Sequence, residues 1–130
     1  MTTNYTCDGK LERLNHAIRK WREDKGFVTS WKNAPEKLLL VVSEITEAFE
    51  AFRDLTPATL RALETGETIL GTSDATRLQV SKIANFKEEI ADTYIRLGDL
   101  CATLGIDIEC HINQKMQVNA KRPHLHGRQR

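Results

Sequence analysis

Two pairs of acidic residues, each pair spaced three positions apart, are the part of this chain best suited to chemistry. Glu44 and Glu47 form the first pair, and Glu89 and Asp92 form the second. On a helix, this spacing projects both carboxylates from one face, about one turn apart. Two like charges this close repel each other unless a cation compensates them, and carboxylate oxygens are the ligands that hard divalent cations prefer. If the two pairs converge, they form one metal site.

The surroundings of the two pairs differ. The first pair lies beside an apolar stripe that includes Leu40 and Ala51. The second pair shares its helix face with Glu88, Arg96 and Asp99, opposite the apolar stripe, which by itself is typical of a solvated charged face. Considered together, two pairs on neighbouring helices favour a site of inward-projecting carboxylates that binds Mg²⁺ or Mn²⁺. Because the second face points away from its own apolar stripe, a partner subunit is expected to complete the site.

A ferritin-like di-iron centre is the competing metal site in a helical protein. Such a centre uses Glu-x-x-His motifs, in which a histidine follows the glutamate by three residues. Neither Glu44 nor Glu89 is followed by histidine at that distance. The sequence therefore favours the oxygen-ligated site.

The last predicted helix carries side chains that suit phosphate. Lys115, Asn119 and Arg122 recur at i, i+4 and i+7. Mg²⁺ commonly bridges protein carboxylates to substrate phosphates, while Lys and Arg neutralise the remaining phosphate oxygens. Charge alone leaves a second interpretation open, in which these residues belong to a basic surface that contacts nucleic acid.

Composition and charge indicate the class of protein. A chain of 130 residues with 40% hydrophobic and 28% charged residues fits one globular domain, residues 1–130. Residues 36–109 carry 14 acidic and 7 basic side chains, whereas residues 110–130 carry 5 basic and no acidic ones. The three cysteines show no C-x-x-C spacing, so neither a disulfide framework nor a thiolate zinc site is indicated. Without an apolar run of membrane-spanning length or a signal-peptide core, we expect a cytoplasmic protein with no membrane partner.

Apolar periodicity predicts helices throughout. The predicted helices are Lys10 to Lys25, Glu36 to Asp54, Pro57 to about Thr65, Phe86 to Leu104, and a last one that starts at Ile108 and is ended by Pro123. Residues 71–85 show no persuasive period and are predicted to form a loop. No strand-like alternation is found, so the predicted fold is all-α, a four-helix-type bundle. Because four substantial helices bury only a small core, we expect a homodimer or homotetramer to complete it.

Two side chains are candidates for contact with a nucleobase. Trp31 lies in the predicted loop before the second long helix, where it could stack on a base, and His16 lies on the first helix. Trp21, by contrast, is predicted to belong to the core. Packing is the commoner role of a tryptophan in a small protein, and a single helical histidine is more often structural or exposed, so both roles stay open.

Three blocks of sequence contain most of these candidates: LLLVVSEITEAFEAFR at 38–53, EEIADTYIRLGDLCATLGIDIE at 88–109 and KMQVNAKRPHLHG at 115–127. Their combination of E-x-x-E, E-x-x-D and K-x-x-x-N-x-x-R-P resembles the all-alpha nucleoside triphosphate pyrophosphohydrolases of the MazG-like superfamily. Ser43 departs from that pattern, since many members have a further glutamate directly before the first metal ligand. The segment 56–85 also matches poorly.

The resemblance implies a helical oligomer that hydrolyses a nucleoside triphosphate between its α and β phosphates, giving NMP or dNMP and pyrophosphate. It assigns Mg²⁺ binding, with Mn²⁺ as a substitute, to Glu44, Glu47, Glu89 and Asp92, and phosphate binding to Lys115, Asn119 and Arg122. We expect the catalytic residues to be Glu44 and Glu47, with Glu47 the one that orients or deprotonates the attacking water.

The expected biological role is house-cleaning or control of the nucleotide pool, without a nucleic-acid partner. Two alternatives stay open. One is a phosphoribosyl-nucleotide pyrophosphohydrolase of the histidine pathway, which would also release pyrophosphate. The other is a non-catalytic helical adaptor that binds nucleotide or nucleic acid through a basic tail, residues 122–130.

Overall fold

The computed structural model describes residues 7–124. The helices in this range are α1 (Lys10–Asp24), α2 (Ala34–Arg53), α3 (Pro57–Thr65), α4 (Asp74–Leu104) and α5 (Ile108–Ala120). No strand occurs between residues 7 and 124, which confirms the all-α class. None of these helices combines the length and apolar character that crossing a bilayer requires. Of the predicted tail, residues 122–124 are exposed and the rest lies outside the described residues.

The short helix α3 shows how local sequence fixes helix ends. Thr56 is its N-cap, and the Thr56 hydroxyl accepts a hydrogen bond from the Thr59 backbone N–H at 3.2 Å. Pro57 follows in the first turn, where its missing N–H costs nothing. Gly66 closes the helix with a left-handed φ of 71°. The predicted bounds of this helix are confirmed.

The predicted loop at residues 71–85 is wrong, because α4 begins at Asp74. The Ser73 hydroxyl caps this helix by accepting the Thr76 N–H at 3.2 Å. Polar contacts then fix the first turns: the Gln79 side chain donates to the Asp54 carbonyl at 3.1 Å and accepts the Thr56 N–H at 2.9 Å. Since these contacts need no apolar stripe, a search for apolar periodicity does not detect this part of the helix.

The chain divides into two compact units. The central unit is Lys32–Leu97 and contains α2, α3 and most of α4. The terminal unit contains α1, α5 and the end of α4 from Gly98. Between α3 and α4, the linker segment 66–73 of the central unit is exposed except for half-buried Ile69.

Small residues form most of the buried part of the central unit. Ala48 and Ala51 are each 3% exposed and Val41 is 8% exposed. The larger apolar side chains of α2 remain in contact with solvent, with Leu39 at 70% and Phe49 at 61% exposure. α2 therefore presents a wide apolar surface that the described chain does not cover.

The terminal unit is held by a buried ion pair. Arg22 Nε donates to Asp99 Oδ2 at 2.9 Å, and the two side chains are 8% and 6% exposed. The Thr29 hydroxyl donates to the same carboxylate oxygen at 2.6 Å. Asn15, 3% exposed, packs so closely on Gly98 that a Cβ there would lie 2.7 Å from its amide oxygen. Because polar residues take the buried face of α1, the prediction that Trp21 is core is wrong, and Trp21 is 49% exposed.

Candidate metal centre

Three of the predicted metal ligands meet within the central unit. Glu44 and Glu47 on α2 and Glu89 on α4 each place one carboxylate oxygen within 4.8 Å of the others. Glu44 is buried, Glu89 is half-buried and Glu47 is exposed. The donor set consists of oxygen alone, which suits a hard cation and gives no ligand for a thiophilic metal. The cluster could hold a metal ion within a single chain.

The packing of α2 against α4 explains why these residues converge. The rings of Phe52 and Phe86 lie with their centroids 5.6 Å apart. Glu44 lies nearer the N-terminus of α2 than Phe52 does. It contacts Arg96, which lies nearer the C-terminus of α4 than Phe86 does. The two helices therefore run antiparallel through these contacts, and Glu47 and Glu89 lie between the two pairs. Side chains that are 42 residues apart in sequence thus meet.

The electrostatics of the cluster follow from this crowding. Desolvation raises the pKa of the Glu89 carboxyl, and a hydrogen bond with Glu44 raises it further. The negative charges of Glu47, Glu44 and Asp92 act in the same direction. A carboxyl whose pKa is raised by its carboxylate neighbours reports an excess of negative charge, which a cation would relieve. Asp92 is exposed and contributes to this field, although it is not one of the three residues whose oxygens come together.

Arg96 and Ser43 also touch the cluster. Arg96 Nε donates a hydrogen bond to Glu44 Oε1, forming an ion pair. The Ser43 hydroxyl lies 3.5 Å from Glu47 Oε1, at the outer limit of a hydrogen bond. In the sequence, Arg96 is predicted only to lie on a charged face, but it follows Glu89 by seven residues and so shares the face of α4 that carries the site. This i,i+7 spacing is the feature of the sequence that could have identified Arg96 as a neighbour of the site.

The helix face that carries Glu89 is not the solvated face that its sequence alone suggests. Glu89 turns towards α2, while Ile90 and Tyr94 of the predicted apolar stripe are 49% and 41% exposed. The reason is that α2 contributes Glu44 to this contact, so α4 presents its polar face there. The apolar stripe of α4 is left partly in solvent.

The predicted phosphate-binding residues belong to the terminal unit. Lys115 is exposed on α5, and Asn119 is half-buried near its end. The Asn119 Oδ1 atom is buried and accepts no hydrogen bond among the described residues. Arg122 lies beyond the last helical residue, and its backbone N–H donates to the Asn119 carbonyl at 3.0 Å. The expected i, i+4, i+7 row is therefore helical only as far as Asn119.

The two candidates for base contact also lie in the terminal unit. Trp31 is 71% exposed, in the turn that precedes α2. His16 has its Nε2 atom 3.7 Å from Glu12 Oε1, and its side chain is 56% exposed. His16 lines a cavity of about 200 Å³ together with Asn15 and Asp107. Both side chains are thus accessible to a ligand.

No protein-family model, curated protein or solved structure matches the chain. Its function must therefore be inferred from its own residues and their geometry.

Proposed function

We propose that the protein is a Mg²⁺-dependent nucleoside triphosphate pyrophosphohydrolase that cleaves between the α and β phosphates to give NMP or dNMP and pyrophosphate. The observation that carries the proposal is the convergence of Glu44, Glu47 and Glu89 from two helices within 4.8 Å of one another. An all-oxygen cluster on antiparallel helices is how a helical protein builds a site for a hard cation. The three sequence blocks that resemble the MazG-like superfamily supply the reaction.

The residues present fit Mg²⁺, with Mn²⁺ as a substitute. Glu44, Glu47 and Glu89 would hold the ion, and exposed Asp92 would add a fourth carboxylate after a rotamer change. Bound Mg²⁺ supplies charge neutralisation and polarisation of the triphosphate. Mg²⁺ typically keeps several of its waters, and the exposed edge of the cluster at Glu47 leaves room for them.

Within the site, exposure separates the roles of the two glutamates on α2. Glu44 is buried, so its carboxylate is held in place and would serve to bind the metal ion. Glu47 is exposed, so its carboxylate can reach a water that attacks phosphorus. We assign Glu47 as the group that accepts the proton of that water. Glu44 would instead hold the metal ion next to Glu47.

The remaining candidate residues are proposed to bind the substrate. Lys115 and Arg122 would neutralise phosphate oxygens, and Asn119 would donate its side-chain N–H groups to them. Trp31 would stack on the base and His16 would lie at its edge. These assignments extend the proposal to substrate binding, for which a nucleoside triphosphate is the expected class and pool control or house-cleaning the expected role.

A product assay tests the reaction. The purified full chain is incubated with Mg²⁺ and a panel of ribo- and deoxyribonucleoside triphosphates that includes phosphoribosyl-ATP, and products are separated by ion-exchange chromatography. We expect monophosphate and pyrophosphate in equal amounts, and none in the presence of EDTA. Release of orthophosphate, or no product from any nucleotide, contradicts the proposal. Turnover of phosphoribosyl-ATP alone would assign the histidine-pathway reaction instead.

Substitution of Glu47 tests the assignment of the general base. Glu47→Gln should lower kcat by roughly 10²- to 10⁴-fold, the usual contribution of a positioned general base. Glu50→Gln is the matched control, because Glu50 is an exposed residue one turn further along α2 and its loss removes the same charge. Equal kcat values for Glu47→Gln and the unsubstituted protein would remove Glu47 from the mechanism.

A further inference from the structure

Arg96 is a cation located at the acidic cluster. It lies two turns after Glu89 on α4, on the same face, and its Nε donates to Glu44 Oε1. The side chains of Arg96 and Glu44 are 28% and 11% exposed, so solvent screens their charges only in part. Glu44 is therefore at once a member of the three-glutamate cluster and the acceptor of a guanidinium.

These two roles of Glu44 compete. A hydrogen bond to a metal-binding carboxylate can orient it and so strengthen metal binding. A guanidinium, however, carries a full positive charge, and it repels a divalent cation that binds the same carboxylate. Because Coulomb energy scales with the product of the charges and is weakly screened in a partly dehydrated site, repulsion outweighs the ordering of one side chain. Arg96 should therefore weaken the binding of a free cation.

We propose that Arg96 is an exchangeable counter-ion of the cluster, which neutralises Glu44 while no cation is bound and is displaced from Glu44 when a divalent cation binds. The inference rests on the metal site of the proposed function and adds a residue that sets its affinity. It explains how a buried glutamate is accommodated next to two other carboxylates before the cation arrives. It also predicts opposite effects of one substitution on metal affinity and on the stability of the metal-free protein.

The test measures Mn²⁺ binding to the metal-free full chain by electron paramagnetic resonance of the free ion, alongside thermal melting in EDTA. Arg96→Gln should tighten Mn²⁺ binding about tenfold, because the substitution removes a positive charge that repels the cation. The same variant should lower the melting temperature in EDTA, and saturating Mn²⁺ should restore most of the loss. Arg96→Lys keeps the charge and should bind within about threefold of the unsubstituted protein.

Lys87→Gln is the control for net charge, because Lys87 is an exposed residue on α4 two positions before Glu89. We expect its Mn²⁺ affinity to change by less than about threefold, since exposed charges are well screened. Weaker or unchanged binding in Arg96→Gln, or equal tightening in Lys87→Gln, overturns the role of Arg96 while leaving the metal site intact. Absence of Mn²⁺ binding by the unsubstituted protein overturns the metal site and the proposed function together.

A second measurement does not depend on the folding of Arg96→Gln. The Arg96 Nε–H resonance in a ¹⁵N NMR spectrum is identified by its absence in Arg96→Lys. Addition of Mg²⁺ should shift this resonance and speed its exchange with solvent, because the hydrogen bond to Glu44 is lost. A resonance that stays unchanged at saturating Mg²⁺ contradicts displacement.

Discussion

At the scale of single residues, burial separates Glu44 from Glu47, although their spacing makes them look equivalent in the sequence. Glu44 is 8% exposed and forms an ion pair with Arg96, whereas Glu47 is exposed and its Oε1 atom lies 3.5 Å from the Ser43 hydroxyl. A buried charge that loses its partner is costly, whereas an exposed one is not. The two glutamates should therefore contribute differently to stability.

Glu44→Ala should lower the free energy of unfolding of the metal-free protein by about 2–3 kcal/mol, because Arg96 loses its ion-pair partner in a partly buried site. Glu47→Ala should change it by less than about 0.5 kcal/mol, since Glu47 is exposed and lies among like charges. Urea denaturation in EDTA, followed by circular dichroism, measures both. Similar losses in the two variants would contradict the different roles assigned to them.

The cysteines offer a prediction with a pH dependence. Hydrogen bonds with Cys7 and, to a smaller extent, with Asp107 raise the pKa of the Cys110 thiol to about 12. Burial raises the pKa of the Cys101 thiol. A raised thiol pKa leaves little reactive thiolate at pH 8.5, because only the deprotonated form is the nucleophile. Cys110 should therefore react with iodoacetamide at least about 100-fold more slowly at pH 8.5 in the folded protein than in urea, and Cys101 should also react more slowly.

Peptide mass spectrometry of timed samples measures these rates residue by residue. Cys7→Ala is the informative variant, because it removes the largest cause of the raised Cys110 pKa and should accelerate labelling of Cys110 alone. Cys101 should stay slow in that variant, since its protection comes from burial. Fast labelling of Cys110 in the unsubstituted folded protein would show that its contacts are not made in solution.

At the scale of elements, the terminal unit depends on the ion pair between α1 and the end of α4. Arg22 and Asp99 are both buried, and the Thr29 and Thr103 hydroxyls also donate to the Asp99 carboxylate, at 2.6 and 3.4 Å. The Arg22 guanidinium also lies 4.4 Å from the centre of the Phe27 ring. One carboxylate thus joins α1, the segment after it and α4.

Asp99→Asn keeps the shape of the side chain but removes the charge, which leaves the Arg22 guanidinium buried without a carboxylate. We expect a loss of about 3–5 kcal/mol in the free energy of unfolding. Glu23→Gln is the control, because it removes the exposed Arg19–Glu23 pair on α1 and should cost less than about 0.5 kcal/mol. If burial determines how much an ion pair contributes to the free energy of unfolding, the urea midpoint should fall far more in Asp99→Asn than in Glu23→Gln. Equal midpoints would contradict this.

Element prediction from sequence succeeded where local signals mark the ends. The Thr56-Pro57 start and Gly66 end of α3, and the Gly105 end of α4, follow from capping rules and are observed. The first three turns of α4 could not be found, because Gln79 and other polar groups hold them rather than an apolar stripe.

The candidate site was predictable in part for the same kind of reason. The i,i+3 spacing identified the acids, since it depends only on helical geometry. Which face of α4 meets α2 depends on tertiary packing, and so the position of Glu89 and the contact of Arg96 with Glu44 could not be derived from periodicity. Apolar periodicity predicts the apolar stripes of the helices. It does not predict whether other parts of the same chain bury those stripes.

At the scale of the whole molecule, α2 leaves an apolar stripe only partly covered. The residues Leu38, Val42, Ile45, Phe49 and Phe52 are between 42% and 61% exposed and follow alternating spacings of four and three. That spacing is the heptad seam by which helices pack on one another. No side chain of the described residues is less than 2% exposed, so the chain alone builds a thin core. The stripe is therefore suited to cover, and be covered by, another copy.

We expect the protein to self-associate through this stripe, with a mass by sedimentation velocity of at least twice the 14.8 kDa of the chain. Phe49→Glu should shift the protein to a monomer at micromolar concentration, because it places a charge in the centre of the seam. Leu70→Glu is the control, since Leu70 is 82% exposed in the linker segment, away from the stripe. A monomeric unsubstituted protein at 100 μM, roughly a hundredfold above a Kd of about 1 μM, would contradict self-association.

The linker segment 66–73 is a suitable place for insertion of a peptide tag. Gly66 ends α3 and Ser73 caps α4, so each helix is closed before the linker begins. The contacts of Gln79 with Asp54 and Thr56 hold the two helices together without help from the linker. A peptide tag inserted after Glu67 would be displayed in solvent and enter neither helix. Proteases should cut there first, and the two fragments should remain associated.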